Sequence, residues 1–290
     1  MFERILINGL VISGTYAVLA VGFSLIFGVA KIFNMAHTVL YMAASYIIFF
    51  SLNSLGIHYV FASALAILLT IIFGILCYKF LFDRVKVHET AVMIISISLA
   101  IICQELVLMT LDGSYRGVPS FIVGSKELMG VSVLYQHMFV VLGCIITLIG
   151  LWILLTKTFL GKAIRAVAQD QEIANLMGID VSRVCLIAMG ISAGLAAIAA
   201  VLSAPLEPLY PAMWLQPLIL ILAAVVLGGL GSIKGSVYGA LILGFTETIV
   251  ITVIPGGSFL RGAVSLLAMV IVLIFRPEGL FGVVFEEETL

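Results

Sequence analysis

The chain has 290 residues, of which 63% are hydrophobic and only 10% charged, with a mean hydropathy of +1.30. A soluble domain is about 45–50% apolar and about 25% charged, so a soluble enzyme and a disordered chain are both excluded. Fourteen Lys and Arg against fifteen Asp and Glu exclude a nucleic-acid binder, which needs a basic face. The partner implied is a lipid bilayer.

A helix needs about 20 apolar residues to cross the hydrocarbon core. Nine apolar segments follow one another at roughly 5–30, 38–52, 58–81, 91–111, 133–156, 183–203, 216–231, 236–254 and 259–275. The first is far longer than the apolar core of a cleavable signal and is read as a span. Backbone polar groups must be satisfied internally in lipid, so helices are expected, and no period-2 alternation points to a barrel. The expected fold class is therefore all-α: a polytopic integral membrane protein of about 8–9 transmembrane helices in a single domain over 1–290. Prolines 119, 205, 208, 211, 255 and 277 fall between or after segments, and Pro217 opens the seventh, where a helix tolerates it. Cys77, Cys103, Cys144 and Cys185 show no metal-ligand spacing and read as small hydrophobes.

Basic residues set the orientation. Lys31, Lys79, Arg84, Lys86, Lys157, Lys162, Arg165, Arg183, Lys234 and Arg276 fall on one side; Arg4, Arg116, Lys126 and Arg261 fall on the other. The bias places the N-terminus outside and the C-terminus in the cytoplasm of a plasma (bacterial inner) membrane.

The second and seventh segments are short, and each adjoins an interruption on the inner side: 31–38 and 228–235. Met35–Val39 aligns with Ile233–Val237, which predicts a parallel internal repeat. Interrupted segments in corresponding halves point to a transport pathway. Asn34 and His37 sit three apart, so a helical turn would put them on one face, where they end a broken helix or cap the next one, Asn34 or Thr38 serving as N-cap. Gly228, Gly229, Gly231 and Gly235 permit a broken helix or close helix approach. They make no phosphate loop, since Lys234 has the wrong spacing. Glu105 and Glu247 are the two acids inside segments. Such a group is costly there and is a functional candidate or a helix-fixing contact; Glu247 is taken with the pathway.

The inner loop 157–182 carries a short amphipathic helix in which Ala166, Ile173, Ala174 and Met177 recur at helical spacing and Gly178 is the natural stop. Its mixed charge favours docking into another protein over lying on lipid.

Four motifs carry a resemblance. Arg165-Ala166, Ala168, Asp170, Ala174 and Gly178-Ile179 resemble the coupling segment of ABC-importer permeases for branched-chain amino acids. Asn34-x-Ala36-His37 with Tyr41-Met42-x-Ala44 is similar to that family's first-half motif. Val226-Leu227-Gly228-Gly229-Leu230-Gly231-Ser232-x-x-Gly235 is similar to its second-half motif, and Arg276-Pro277-Glu278-Gly279-Leu280-Phe281-Gly282 to its ending. The Asn-x-Ala-His form and the length look like the LivH-type subunit. Thr38, where the family usually has Gly, and Ala44-Ser45-Tyr46 in place of Gly-Ala-Tyr are departures. The resemblance implies a permease subunit of an ATP-driven importer, without its own ATPase site and without cofactor. It would be paired with a LivM-like permease, two cytoplasmic ATP-binding subunits and an extracytoplasmic solute-binding protein. Branched-chain amino acids are the implied solutes, with urea or short amides as the alternative. A stand-alone secondary transporter or channel is the alternative class, and a docking loop argues against it.

Overall fold

The computed structural model describes residues 2–86, 88–128, 131–276 and 279–281; Pro277, Glu278 and Gly282 of the terminal motif lie outside them. The elements in order are α1 (Phe2–Ala30), α2 (His37–Asn53), α3 (Tyr59–Cys77, continued by a wider π turn, Tyr78–Phe82), α4 (Glu89–Leu111), a hairpin of β1 (Ser125–Leu128) and β2 (Val131–Leu134), α5 (Tyr135–Lys157), α6 (Phe159–Gln169), α7 (Gln171–Leu176), α8 (Val181–Ser203), α9 (Leu215–Gly228), α10 (Ile233–Val253) and α11 (Arg261–Phe275). All nine apolar segments are helices. Among the described residues, six helices are long and apolar enough to cross a membrane. The other three have 17, 14 and 15 residues in α2, α9 and α11.

α1 and α8 lie mostly inside the protein, while α3, α4 and α5 are mostly exposed. The exposed flanks present Ile94, Ile101, Leu106, Met109 and Ile146 outward. A surface this apolar belongs in lipid: the chain is a multi-pass membrane protein. Several hydroxyls within the spans are neutralised locally. Thr15, Ser45, Ser63, Thr147 and Thr248 each donate to the carbonyl four residues back, the usual way a helix carries a hydroxyl through an apolar medium.

Two ends can be distinguished. At one, α7 meets the last turn of α1, where Gln171 Nε2 donates to the Val29 carbonyl at 2.8 Å. At the other, Arg116 and Leu209 exchange both backbone hydrogen bonds, 2.9 and 2.8 Å. They join the long α4–β1 connection to the α8–α9 connection. The antiparallel hairpin, with Ser125 opposite Leu134, lies at this second end, outside the spans.

Candidate functional site

The break after α1 is not a surface loop. Lys31 turns the chain with φ 56°, and residues 32–36 run back along α1. The Phe33 ring packs edge-on against Phe27 and Phe23 with centroids 6.0 and 5.3 Å away. His37 then reaches Leu19, where Nε2 donates to the carbonyl at 3.1 Å. Leu19 lies eleven residues before the end of α1, about 16 Å along the axis at 1.5 Å per residue. α2 therefore starts deep in the protein. Non-helical backbone at such depth is tolerated only when protein satisfies it. Met35 N–H donates to Ser96 Oγ of α4 at 3.1 Å, and Ala36 N–H to Asn34 Oδ1 at 3.0 Å.

The imidazole of His37 is used on both sides. A carbonyl only accepts, so Nε2 carries the proton and Nδ1 accepts from Ser192 Oγ of α8 at 3.2 Å. Asn34 Nδ2 faces Met189 Sδ, also on α8, at 4.0 Å. Gly22 makes room, for a Cβ there would stand 3.0 Å from the ring. Two expectations are corrected. Asn34 and His37 share no helical face, because Asn34 precedes the helix; they meet α8 at positions three apart instead. Nor does Asn34 or Thr38 cap α2: the capping position is Ala36, with no side-chain bond. Asn34 closes a turn one step earlier, and Thr38 is fully buried.

The second break has a different construction. Gly229 and Gly231 take φ of 101° and 81°, values open to glycine and costly to other residues. Ser232 caps α10 by accepting from Gly235 N–H at 3.1 Å. Gly228 and Gly235 face each other across the turn, and a Cβ on either would collide with the other's backbone. The terminal motif docks here. Leu280 and Phe281 N–H donate to the carbonyls of Leu227 and Gly228 at 2.8 and 3.0 Å, filling acceptors that the end of α9 leaves open. Phe281 stacks on Tyr238 of α10 with centroids 5.2 Å apart.

The two breaks meet. A Cβ on Gly28, in the last turn of α1, would sit 3.4 Å from the Gly231 carbonyl. Beside them opens a cavity of about 610 Å³ between α1, α5, α6 and the start of α10. Gly231 and Lys234 line it together with Arg165 and Ala168 of α6, so the glycine motif and the inner-loop motif face one space. Ser24 also lines it, and its buried hydroxyl has no hydrogen-bond partner among the described residues.

The inner loop is two helices, not one. α6 starts after Thr158, whose Oγ1 accepts from Gly161 N–H at 3.0 Å, and buries Gly161, Ile164 and Val167. Asp170 breaks the run and caps α7 through Ile173 N–H at 2.9 Å. α7 ends as the sequence implies: Gly178 has φ 85°, its N–H donates to the Asn175 carbonyl, and Ile179 N–H donates to the Ala174 carbonyl, both at 3.0 Å. This is a Schellman closure. Ala174, read as part of an outward docking face, instead points into the protein at 3% exposure, while Ile173, Leu176 and Met177 stand 60%, 85% and 78% exposed. Arg165 and Asp170 are exposed, and Ala168 and Ile179 are half-buried.

Glu247 is fully buried in α10, apart from both breaks, and Glu105 is exposed on α4. A third acid escaped the sequence reading. Glu207, in the proline-rich α8–α9 connection, accepts from Tyr41 Oη at 3.3 Å, and Tyr41 also meets Ser203 Oγ at 2.9 Å. Glu207 stands between cavities of about 330 and 290 Å³.

The sequence profile of the family described as "Branched-chain amino acid transport system / permease component" matches residues 5–273. The chain is 30% identical to the high-affinity branched-chain amino acid transport system permease protein BraD of Pseudomonas aeruginosa, over 96% of this chain and 94% of that protein. It is 28% identical to the permease protein LivH of Salmonella typhimurium and 27% identical to LivH of Escherichia coli K12, over 97% of this chain and 96% of each. No solved structure matches.

Proposed function

The chain belongs to the family of permease components of branched-chain amino acid transport systems, and from that premise we propose that it is the LivH-type membrane subunit of an ATP-driven importer in the plasma membrane. The whole chain acts as one permease domain beside a LivM-like partner. Two cytoplasmic ATP-binding subunits supply the energy, an extracytoplasmic protein delivers the solute, and the solute is a branched-chain amino acid. α6 and α7 face the cytoplasm and the N-terminus lies outside.

The observation that carries this reading is α7. Two large apolar side chains, Ile173 and Leu176, project from a helix of six residues, and a third, Met177, from its C-cap. They stand at the end that carries most of the basic side chains rather than on the lipid-facing flanks. A capped helix with an unburied apolar face suits a groove on another protein. Gln171, at the other end of the same helix, holds the last turn of α1. Movement of a docked α7 therefore pulls on α1 next to both breaks and the 610 Å³ cavity. Alternating access then amounts to a shift between two arrangements of these elements that bind nucleotide-loaded ATPase with different affinity.

Leu176→Glu and Met177→Glu test the reading. Each places a charge in the proposed groove without disturbing the packing of the subunit. The subunit is expected to accumulate in the membrane at the wild-type level while ATPase co-purification and uptake fall together. Undiminished co-purification and uptake in both variants would make α7 a solvated connector, and a secondary transporter or channel would become the better reading.

A further inference from the structure

We propose that Glu207 and the tyrosines around it form a subsite for a primary ammonium group, so that the solute passing this subunit carries one; this rests on reading the chain as a permease. The 330 Å³ cavity is lined by Tyr16, Tyr115, Glu207, Tyr210, Met213 and Gln216. Among its described lining residues Glu207 is the single charge. The space reaches well into the protein: Tyr16 lies fourteen residues from the start of α1, about 21 Å along its axis.

The chemistry of the lining selects a cation. An ionised carboxylate accepts at about four lone-pair positions. Among the described residues Glu207 receives one hydrogen bond, from Tyr41, and makes no ion pair. An ammonium group entering the cavity can donate to this half-buried carboxylate. Tyr115 and Tyr210, with centroids 5.4 Å apart, offer ring faces that attract the same charge, and Met213 offers apolar surface to the rest of the solute. Arg116 donates through Nη2 to the Leu111 carbonyl at 3.2 Å and lies over Phe49, and among the described residues it makes no ion pair with Glu207. Its backbone, bonded both ways to Leu209, fixes the stretch that carries Glu207. Urea or a short amide would set no positive charge against this carboxylate, so the site favours an amino acid over either.

The test uses the complete importer in proteoliposomes with ATP inside the cytoplasmic compartment, comparing wild type, Glu207→Gln and Glu207→Asp. The probes are labelled leucine and labelled isovaleramide, which is uncharged. Wild type is expected to carry leucine, Glu207→Gln to lose about tenfold or more of that uptake, the scale of a lost charge-assisted hydrogen bond, and Glu207→Asp to keep part of it. ATPase co-purification should be the same in all three. A second measurement needs no transport. Gln216→Cys, in a background without the native cysteines, is exposed to cationic and anionic thiol reagents from the face opposite α7. The cation should react about tenfold faster, and adding Glu207→Gln should remove the preference. Leucine uptake unchanged by Glu207→Gln overturns the subsite and leaves the permease reading standing. Wild-type uptake of isovaleramide without leucine overturns it as well. If no ATPase co-purifies, the permease reading fails, and the reagent pair decides the subsite alone: equal rates overturn it.

Discussion

His37 shows what a single residue does in this protein. It was a candidate for the pathway or for a cap. In the folded chain its two nitrogens tie α1 to α8 through the Leu19 carbonyl and Ser192, and Asn34 packs against α8 one turn away. Sequence alone supplies the spacing of these two residues but not the direction of the backbone between them, and that direction is set by Phe33 folding back onto Phe23 and Phe27. The glycines of the second break were more legible, because only a position without a Cβ fits where two backbones touch. Gly235→Ala puts a methyl into the Gly228 carbonyl, and neither partner is a flexible side-chain end that can move aside. Overpacking costs about 1–3 kcal/mol, so the purified subunit is expected to unfold at a clearly lower temperature than wild type. An unchanged melting temperature would show that the turn can open without loss.

At the scale of elements, periodicity and length located every long helix, from the first segment on α1 to the ninth on α11, because an apolar run of this length has no other way to satisfy its backbone in lipid. The short helices were harder. Ala174 and Ile173 are adjacent in an apolar pattern, and six residues do not reveal which of them faces the subunit. The packing does: Ala174 is inside and Ile173 outside. Ala174→Arg would therefore bury an unpaired charge within the subunit itself. It is expected to lower the amount of subunit in the membrane, in contrast to Leu176→Glu, which should leave that amount unchanged. Immunoblotting of membranes from the two variants checks this; equal accumulation would contradict the assignment of the faces. The site around Glu207 was not legible for a different reason. Tyr16 comes from α1, Tyr41 from α2 and Glu207 from a stretch whose prolines mark it as a loop, so no local pattern announces them. The terminal motif likewise could be matched to a family, but its bonds to Leu227 and Gly228 join residues too far apart in sequence for spacing to connect.

For the whole molecule, the proposed function requires α7 and both breaks at the cytoplasmic end and Glu207 at the other. A cysteine introduced at Glu172, exposed on α7, should resist an impermeant thiol reagent added outside, and one at Asn53, exposed at the end of α2, should react. The reverse pattern would invert the orientation and remove α7 from any cytoplasmic partner. The two ends are linked through α1, which takes Gln171 at its last turn, His37 at its middle and Tyr16 in the cavity beside Glu207. A single helix of 29 residues thus touches every part of the proposed cycle. The measurement that tests this most directly is leucine uptake by the purified complex in proteoliposomes, with and without ATP in the cytoplasmic compartment. Accumulation against the gradient is expected only when ATP, both ATPase subunits and the binding protein are present. Equal accumulation by this chain and its permease partner alone, driven by an ion gradient, would contradict it.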